Sequence, residues 1–323
     1  MRTTNESTSP QRHAQAHAVS ESSAHETQPS HAQSPAGDWQ TVSEALLLAN
    51  SGLAAASVSS PRLDAEVLLA HVLGWNRARL YARPEHRLTQ AEQEAFLTAV
   101  QRRARHEPVP YIVGHREFYR LDFLVDRRVL IPRPETELLV EKALNVAMRQ
   151  ELGKGRPLLA DVGTGSGIVA VTLAVNLPLA TVYATDTSPD ALAVAAANAA
   201  RHGVASRVQL LLGDLLQPVP ERVHIIVANL PYVPQQRLPT LAPDVVEYEP
   251  LAALDGGPDG LLPARRLLAQ AGEWLLPEGA IVMELDAEQG SDVLALGQHY
   301  YPRAQVDLLP DHAGLDRVVS IQT

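Results

Sequence analysis

The run ANLPYVP, residues 228–234, leaves an apolar stretch, VHIIV, that reads as a buried strand. A plain exit turn favours Gly, Asp or Ser at such a place. Asn229, Leu230, Pro231 and Tyr232 offer instead an amide that both donates and accepts, a backbone carbonyl on a proline-stiffened chain, and a flat aromatic face. That set suits gripping a small planar polar group. A second run, DVGTGSG at 161–167, also follows an apolar strand and enters a helical pattern. Gly163, Gly165 and Gly167 remove side chains where a ligand must approach the backbone. The dinucleotide fingerprint G-x-G-x-x-G would need Gly at 168, where this chain has Ile168.

G-x-G-x-G after an acidic residue is more typical of S-adenosylmethionine sites, and Asp161 can then face the ammonium of that cofactor. Asp186 ends the second strand of the pattern, where a carboxylate can accept two hydrogen bonds from a ribose diol. The helix that follows has Ser188 as its cap, which leaves Asp186 available. Asp214 ends the third strand, where its carboxylate or the next backbone amide can meet an adenine edge. Beside such a cofactor, Asn229–Tyr232 matches the Asn/Asp/Ser-x-Pro-Tyr/Phe signature of methyltransferases acting on planar nitrogen. An amide or adenine amino nitrogen is a poor nucleophile because its lone pair is delocalised. The Asn229 side-chain carbonyl and the Leu230 backbone carbonyl can accept its two N–H groups, while Tyr232 stacks on the planar group. Catalysis is then positioning plus preorganised electrostatics, with no metal and no obligatory base.

These residues need elements to hold them. From 157 onward the short apolar strands LLADV, TVYAT, VQLLL, HIIVA and AIVMEL alternate with the helical runs GIVAVTLAVN, SPDALAVAAANAARHG and LLPARRLLAQAGEWLL. That alternation predicts a parallel α/β sheet. Ligands in such sheets bind outside the carboxyl ends of the strands, where strand order reverses, and every motif above falls at such an end. Residues 39–107 read as a small helical bundle, with Ser43 capping a first helix that Gly52 stops, Pro61 near the start of a second, and Thr89 capping a third. Arg102, Arg103 and Arg105 complement the dipole of that third helix, and the charged faces read as solvated surface. Two β-rich runs, YIVG and EFYRLDFLV, read as a hairpin linker over 108–132. From 133 to 323 runs the α/β domain, entered through a helix with Pro134 in its first turn and Glu135 and Glu137 at its positive end. Residues 1–38 have no Leu, Ile, Phe or Tyr and read as a disordered tail, with His13, His17, His25 and His31 too irregularly spaced to suggest a metal site.

Across 323 residues, 46% apolar and 20% charged composition is that of a soluble globular chain. The absence of cysteine excludes disulfides and thiolate metal sites. No apolar run approaches the roughly 20 residues of a membrane helix. A net charge of −10 disfavours generic binding to nucleic acid, which is driven by phosphate neutralisation.

Over about residues 41–322 the chain resembles the peptide chain release factor glutamine methyltransferases of the HemK/PrmC type. PVPYIVGHREFY, VLIPRPETE, DVGTGSG, the Asn-x-Pro-Tyr segment followed by VP, YEPLAALDGGPDGL and PDHAGLDRVV carry the resemblance. It implies a helical amino-terminal domain, a β-hairpin linker and a Rossmann-like seven-stranded S-adenosylmethionine-dependent methyltransferase domain. The implied reaction is cytoplasmic methylation of the side-chain amide of the Gln in the Gly-Gly-Gln loop of release factors, with no membrane and no direct nucleic-acid partner. By position, Gly163, Thr164, Gly165, Ser166, Gly167 and Asp186 would hold the cofactor and Leu215 would lie against its adenine region. Asn229 would touch both cofactor and substrate, Leu230, Pro231 and Tyr232 would line the Gln pocket, and Arg133 to Glu137, including Thr136, would wall the cofactor site. Two departures stand out: the family usually has Pro at the place of Leu230, and E-I-G where this chain has Glu284–Leu285–Asp286. The first is shared with rRNA adenine dimethyltransferases, which lack IPRPETE and the DGGPDGL run. Other readings are a glutamine methyltransferase for a ribosomal protein, a nucleic-acid adenine methyltransferase, and a silent binding protein that keeps the cofactor fold.

Overall fold

The computed structural model describes residues 39–150, 152 and 155–323, so the disorder expected of 1–38 lies outside the described residues. Helix α1 (Val42–Ala55) opens on Thr41, whose hydroxyl accepts from Glu44 N while Glu44 reaches back to Thr41 N. This capping box displaces Ser43 as the expected cap. The helix also runs through Gly52, because the left-handed residue that ends it is Ser57, at φ 58°. Helices α2 (Pro61–Leu73), α3 (Arg77–Ala82) and α4 (Gln90–Ala104) follow, α4 opening on a capping box of Thr89 and Glu92. Arg103 departs from the solvated face expected of it. It is buried, and its Nε donates to Asp64 Oδ2 of α2 at 2.7 Å.

YIVG is not a strand. Val109–Val113 forms the short helix α5, with Pro110 in its first turn and Gly114 left-handed at its end. Proline suits a first helical turn but cannot donate to a ladder, and here that outweighs the β-propensity of Val and Ile. The hairpin is confined to β1 (His115–Phe118) and β2 (Leu121–Leu124). Its two-residue turn is Tyr119–Arg120, both at positive φ, and Glu137 of the next helix accepts the Tyr119 N–H at 2.9 Å.

That helix, α6 (Thr136–Arg149), starts two residues after Pro134 and leads into an alternating series. The series is β3 (Leu158–Val162), α7 (Ile168–Asn176), β4 (Thr181–Asp186), α8 (Pro189–Arg201), β5 (Val208–Leu212), β6 (Val223–Ala228), α9 (Pro243–Val246), α10 (Leu262–Trp274) and β7 (Leu275–Glu284). Helix α11 (Gly290–Tyr300) and strands β8 (Gln305–Pro310) and β9 (Asp316–Gln322) complete it. The seven strands lie in the order β5-β4-β3-β6-β7-β9-β8, with β5 to β7 parallel and β9 antiparallel to both of its neighbours. The α/β class and the seven-stranded sheet agree with expectation. The last two strands, QVDLLP and DRVVSIQ, were legible only through the resemblance, since they carry polar residues where the central strands are continuously apolar.

Side chains alternate across the sheet with period two. Leu159, Ile225 and Val227 face α6, α7 and α8, while Ala160, Val162, Ile226 and Ala228 face α10 and α11. Gln40–Thr323 form one compact unit. No described helix is long and apolar enough to cross a membrane.

Candidate active site

Strands β3 and β6 are neighbours at the place where strand order reverses, and their carboxyl ends release the two motif loops side by side. The glycines of the first loop, Gly163, Gly165 and Gly167, all have positive φ (74, 54 and 80°). A Cβ at Gly163 would stand 3.1 Å from Leu230 Cδ2, and one at Gly167 would stand 3.0 Å from Ala195 Cβ of α8. A Cβ at Gly165 would meet nothing within 4 Å, so this position faces open space.

The loop is fixed from beneath. Gly163 N and Thr164 N both donate to Thr185 O at 2.9 Å, and Gly165 N donates to Asp186 Oδ2 at 2.9 Å. The other Asp186 oxygen accepts Ser188 N at 2.9 Å, and Ser188 in turn caps α8 through Ala191 N. Asn198 of α8, wholly buried, donates to Ser166 O at 2.8 Å and also takes both backbone groups of Leu124 in β2. Sequence reasoning missed Asn198, because a polar residue within an Ala-rich amphipathic helix carries no motif.

A cavity of about 360 Å³ opens over this loop. Gly163, Thr164, Gly165 and Ser166 line it, as do Asp161, Asp186, Asp214 and Leu215. From the other side come Arg133, Thr136, Asn229, Leu230 and Pro231. Gly167 and Tyr232 do not line it: Gly167 serves the packing of the loop against α8, and the Tyr232 hydroxyl turns to Glu284. Asp161 lies in the floor, with Oδ2 accepting Thr164 Oγ1 at 2.6 Å and Ala170 N at 3.1 Å. Burial pushes its carboxyl up to about 6 against those two hydrogen bonds, and the nearby Asp186 charge adds to the rise. Asp214 pairs with Arg266 of α10, a lining residue that its place on an ordinary amphipathic helix did not mark.

The exit of β6 is clamped by the DGGPDGL segment. Val233 N donates to Leu254 O at 3.0 Å, and Gly256 N donates to Val233 O at 2.9 Å. A Cβ at Gly256 would come within 2.8 Å of Tyr232 Cα, and one at Gly260 within 2.3 Å of Tyr232 O. Those glycines are therefore required by the close approach of the two backbones. Asp255 of this segment and Pro250, Ala252 and Ala253 just before it reach the cavity wall, a role that the motif did not announce. Buried Glu249 joins this wall to the Arg133 segment, accepting Ile131 N at 3.0 Å and Arg133 Nη2 at 2.5 Å.

Within the site, Asn229 Nδ2 donates to Thr136 Oγ1 at 3.2 Å and Tyr232 Oη donates to Glu284 Oε1 at 3.3 Å. Burial pushes Glu284 up to about 7, opposed by the hydroxyls of Thr136 and Tyr232 and by Arg317. Burial also pushes the Tyr232 phenol well above its ordinary value, with the Glu284 charge adding to the effect. Among the described residues no group of three or more His, Cys, Asp or Glu could hold a metal ion.

Comparison with known proteins places this geometry. The family model of the PrmC N-terminal domain matches residues 44–114, and that of the ribosomal protein L11 methyltransferase (PrmA) matches residues 142–253. The release factor glutamine methyltransferase of Moorella thermoacetica is 46% identical over 278 residues, which are 86% of this chain and 96% of that protein. The chain belongs to the release factor glutamine methyltransferase family. A second member, from Agrobacterium fabrum, is 39% identical over 287 residues, covering 88% of this chain and 99% of its own length. Among solved structures, the catalytic domain of hMettl16 in complex with an RNA hairpin superposes with a TM-score of 0.50 at 13% identity, over 73% of this chain and 84% of that one. The ribosomal protein L11 methylase of Lactobacillus delbrueckii subsp. bulgaricus has a TM-score of 0.43 at 24% identity, over 61% of this chain and 82% of its own. The matched family models span the helical bundle and both site loops.

Proposed function

We propose that this chain methylates the side-chain amide nitrogen of the Gln in the Gly-Gly-Gln loop of peptide chain release factors, in the cytoplasm, using S-adenosylmethionine. The observation that carries the reading is the meeting of Asn229, Leu230 and Pro231 with the glycine loop in one cavity at the switch point of the sheet. The printed names of its relatives support a release factor as the substrate. Match of residues 142–253 to the L11 methyltransferase family favours a ribosomal protein as the second reading.

The residues present fit the cofactor. Gly165 leaves open space over the loop, buried Asp161 offers negative charge to an ammonium, and Asp186 and Asp214 stand at adjacent strand ends for ribose and adenine. Leu215 and Thr136 add an apolar contact and a hydroxyl, and Arg133 closes the wall. When bound, S-adenosylmethionine supplies an electrophilic methyl group on a sulfonium centre. The chain's own part is to hold the nucleophile. Asn229 Oδ1 and Leu230 O accept the two N–H groups of the substrate amide, which fixes the nitrogen and polarises it as its lone pair is committed. Leu230 contributes its carbonyl, and its side chain lies against Gly163, where a Cβ would stand 3.1 Å from Leu230 Cδ2. Pro231 holds the carbonyl in place. The substrate-pocket face of Tyr232 completes the Gln site, outside the cofactor cavity.

Incubation with labelled S-adenosylmethionine and a mixture of release factor, ribosomal proteins and rRNA tests this reading. Label on the release factor is the expected result; label confined to a ribosomal protein or to RNA would replace it with one of its rivals.

A further inference from the structure

After β5 the chain turns sharply through GDLLQP, residues 213–218. A Cβ at Gly213 would stand 2.9 Å from Pro218 Cγ, so the two ends of the turn are in close contact. Leu215 takes a φ of 50°, the left-handed region that a side chain seldom adopts. Leu215 and Leu216 are both buried, which anchors the turn. It places Asp214 and Leu215 side by side in the cavity wall.

Asp214 accepts two side-chain hydrogen bonds, and both fall on the same oxygen. Arg266 of α10 donates Nη2 to Oδ2, and Gln217 donates Nε2 to that Oδ2 at 3.4 Å. Among the described residues none donates to Oδ1. The second oxygen therefore keeps its acceptor capacity for a ligand. The side chains of Arg266 and Asp214 are 48% and 32% exposed, so their pairing adds little to stability. Its consequence is the direction of the carboxylate. Arg266 lines the same cavity, but a guanidinium only donates and cannot receive an amino group. We propose that Arg266 is a positioning residue for the base of the cofactor: by holding Asp214 Oδ2, it leaves Oδ1 as the acceptor for the 6-amino group of adenine. This assignment rests on the reading of the cavity as the S-adenosylmethionine site.

Calorimetry on the full chain tests it, comparing S-adenosylhomocysteine with an analogue that has hydrogen in place of the 6-amino group. The wild type should prefer the amino form by roughly ten- to a hundredfold, the range for a hydrogen bond to a charged group. In Arg266→Met that preference should shrink by roughly three- to tenfold, as expected of coupled neighbours. In Asp214→Ala the preference should be lost, and adding Arg266→Met should change the ratio no further. An Arg266→Met ratio equal to that of wild type, a proportional weakening of both ligands, or a further change of ratio in the double variant would each overturn the inference. Equal and measurable affinity of the wild type for both ligands would overturn it at Asp214 and leave the cofactor site standing. Binding of neither ligand by the wild type would remove the cofactor reading beneath it.

Discussion

At Asp186 one carboxylate oxygen takes the Gly165 N–H and the other the Ser188 N–H, so the side chain shapes the loop as well as being the acceptor proposed for a ribose. Asp186→Ala should weaken cofactor binding through both effects. Loss of a charge-assisted bond costs about 1.5–3 kcal/mol, or roughly ten- to over a hundredfold in affinity; calorimetry on the folded variant checks this, and an unchanged Kd would remove Asp186 from the site. Glu284 shows the cost of keeping a carboxyl in the core. Its folded value of about 7 lies above the ordinary 4.5, so its contribution to stability is fully present below about 4.5 and is lost as pH rises through about 7. Glu284→Gln removes that titration. The melting temperature of the variant relative to wild type should climb from pH 4.5 to above 7, by a few degrees in all, and thermal scans across that range would reveal a flat difference if the carboxyl titrated normally.

At the level of elements, α8 does more than cover the sheet. Asn198 ties it to β2 by two hydrogen bonds and to the glycine loop by a third. Asn198→Ala would leave one buried backbone group, Ser166 O, and two part-buried ones at Leu124 without this partner, a cost of about 1–3 kcal/mol for the buried group and less for the others, which water can reach. The variant should melt several degrees lower and bind the cofactor less tightly; a wild-type melting curve would show that the hairpin and loop hold without it. The same contact explains where reading the sequence stopped short. Strands β3, β4, β6 and β7 were legible because largely buried strands read as apolar runs, the edge strand β5 because VQLLL is apolar although partly exposed, and the cavity residues because they sit at strand ends. Asn198, Arg266 and Glu249 were not, since each acts across a large sequence separation with no local pattern to announce it. α5 departs from the expected strand because Pro110 suits a helical first turn and cannot donate to a ladder, which outweighs the β-propensity of Val and Ile.

Over the whole molecule, the helical bundle reaches the cavity indirectly. Arg103 Nη1 lies 4.0 Å from Asp244 of α9, Tyr248 Oη donates to Arg105 O at 2.6 Å, and Arg127 stacks on the Tyr248 ring at 4.6 Å. Of the next residues, Glu249 holds Ile131 and Arg133 and Pro250 lines the cavity, so bundle, linker and cavity wall meet at one segment. Methyl transfer to a full-length release factor by wild type and by Asn229→Ala, with the modified residue read by mass spectrometry, tests the central claim most directly. The account predicts one methyl group on the Gln of the Gly-Gly-Gln loop from the wild type. It predicts a rate lower by roughly a hundred- to a thousandfold from the variant, which should still fold and bind the cofactor within about tenfold of normal because the glycine loop and Asp186 remain. Near-normal methylation by Asn229→Ala, or a wild-type methyl group found on any other residue, would contradict it.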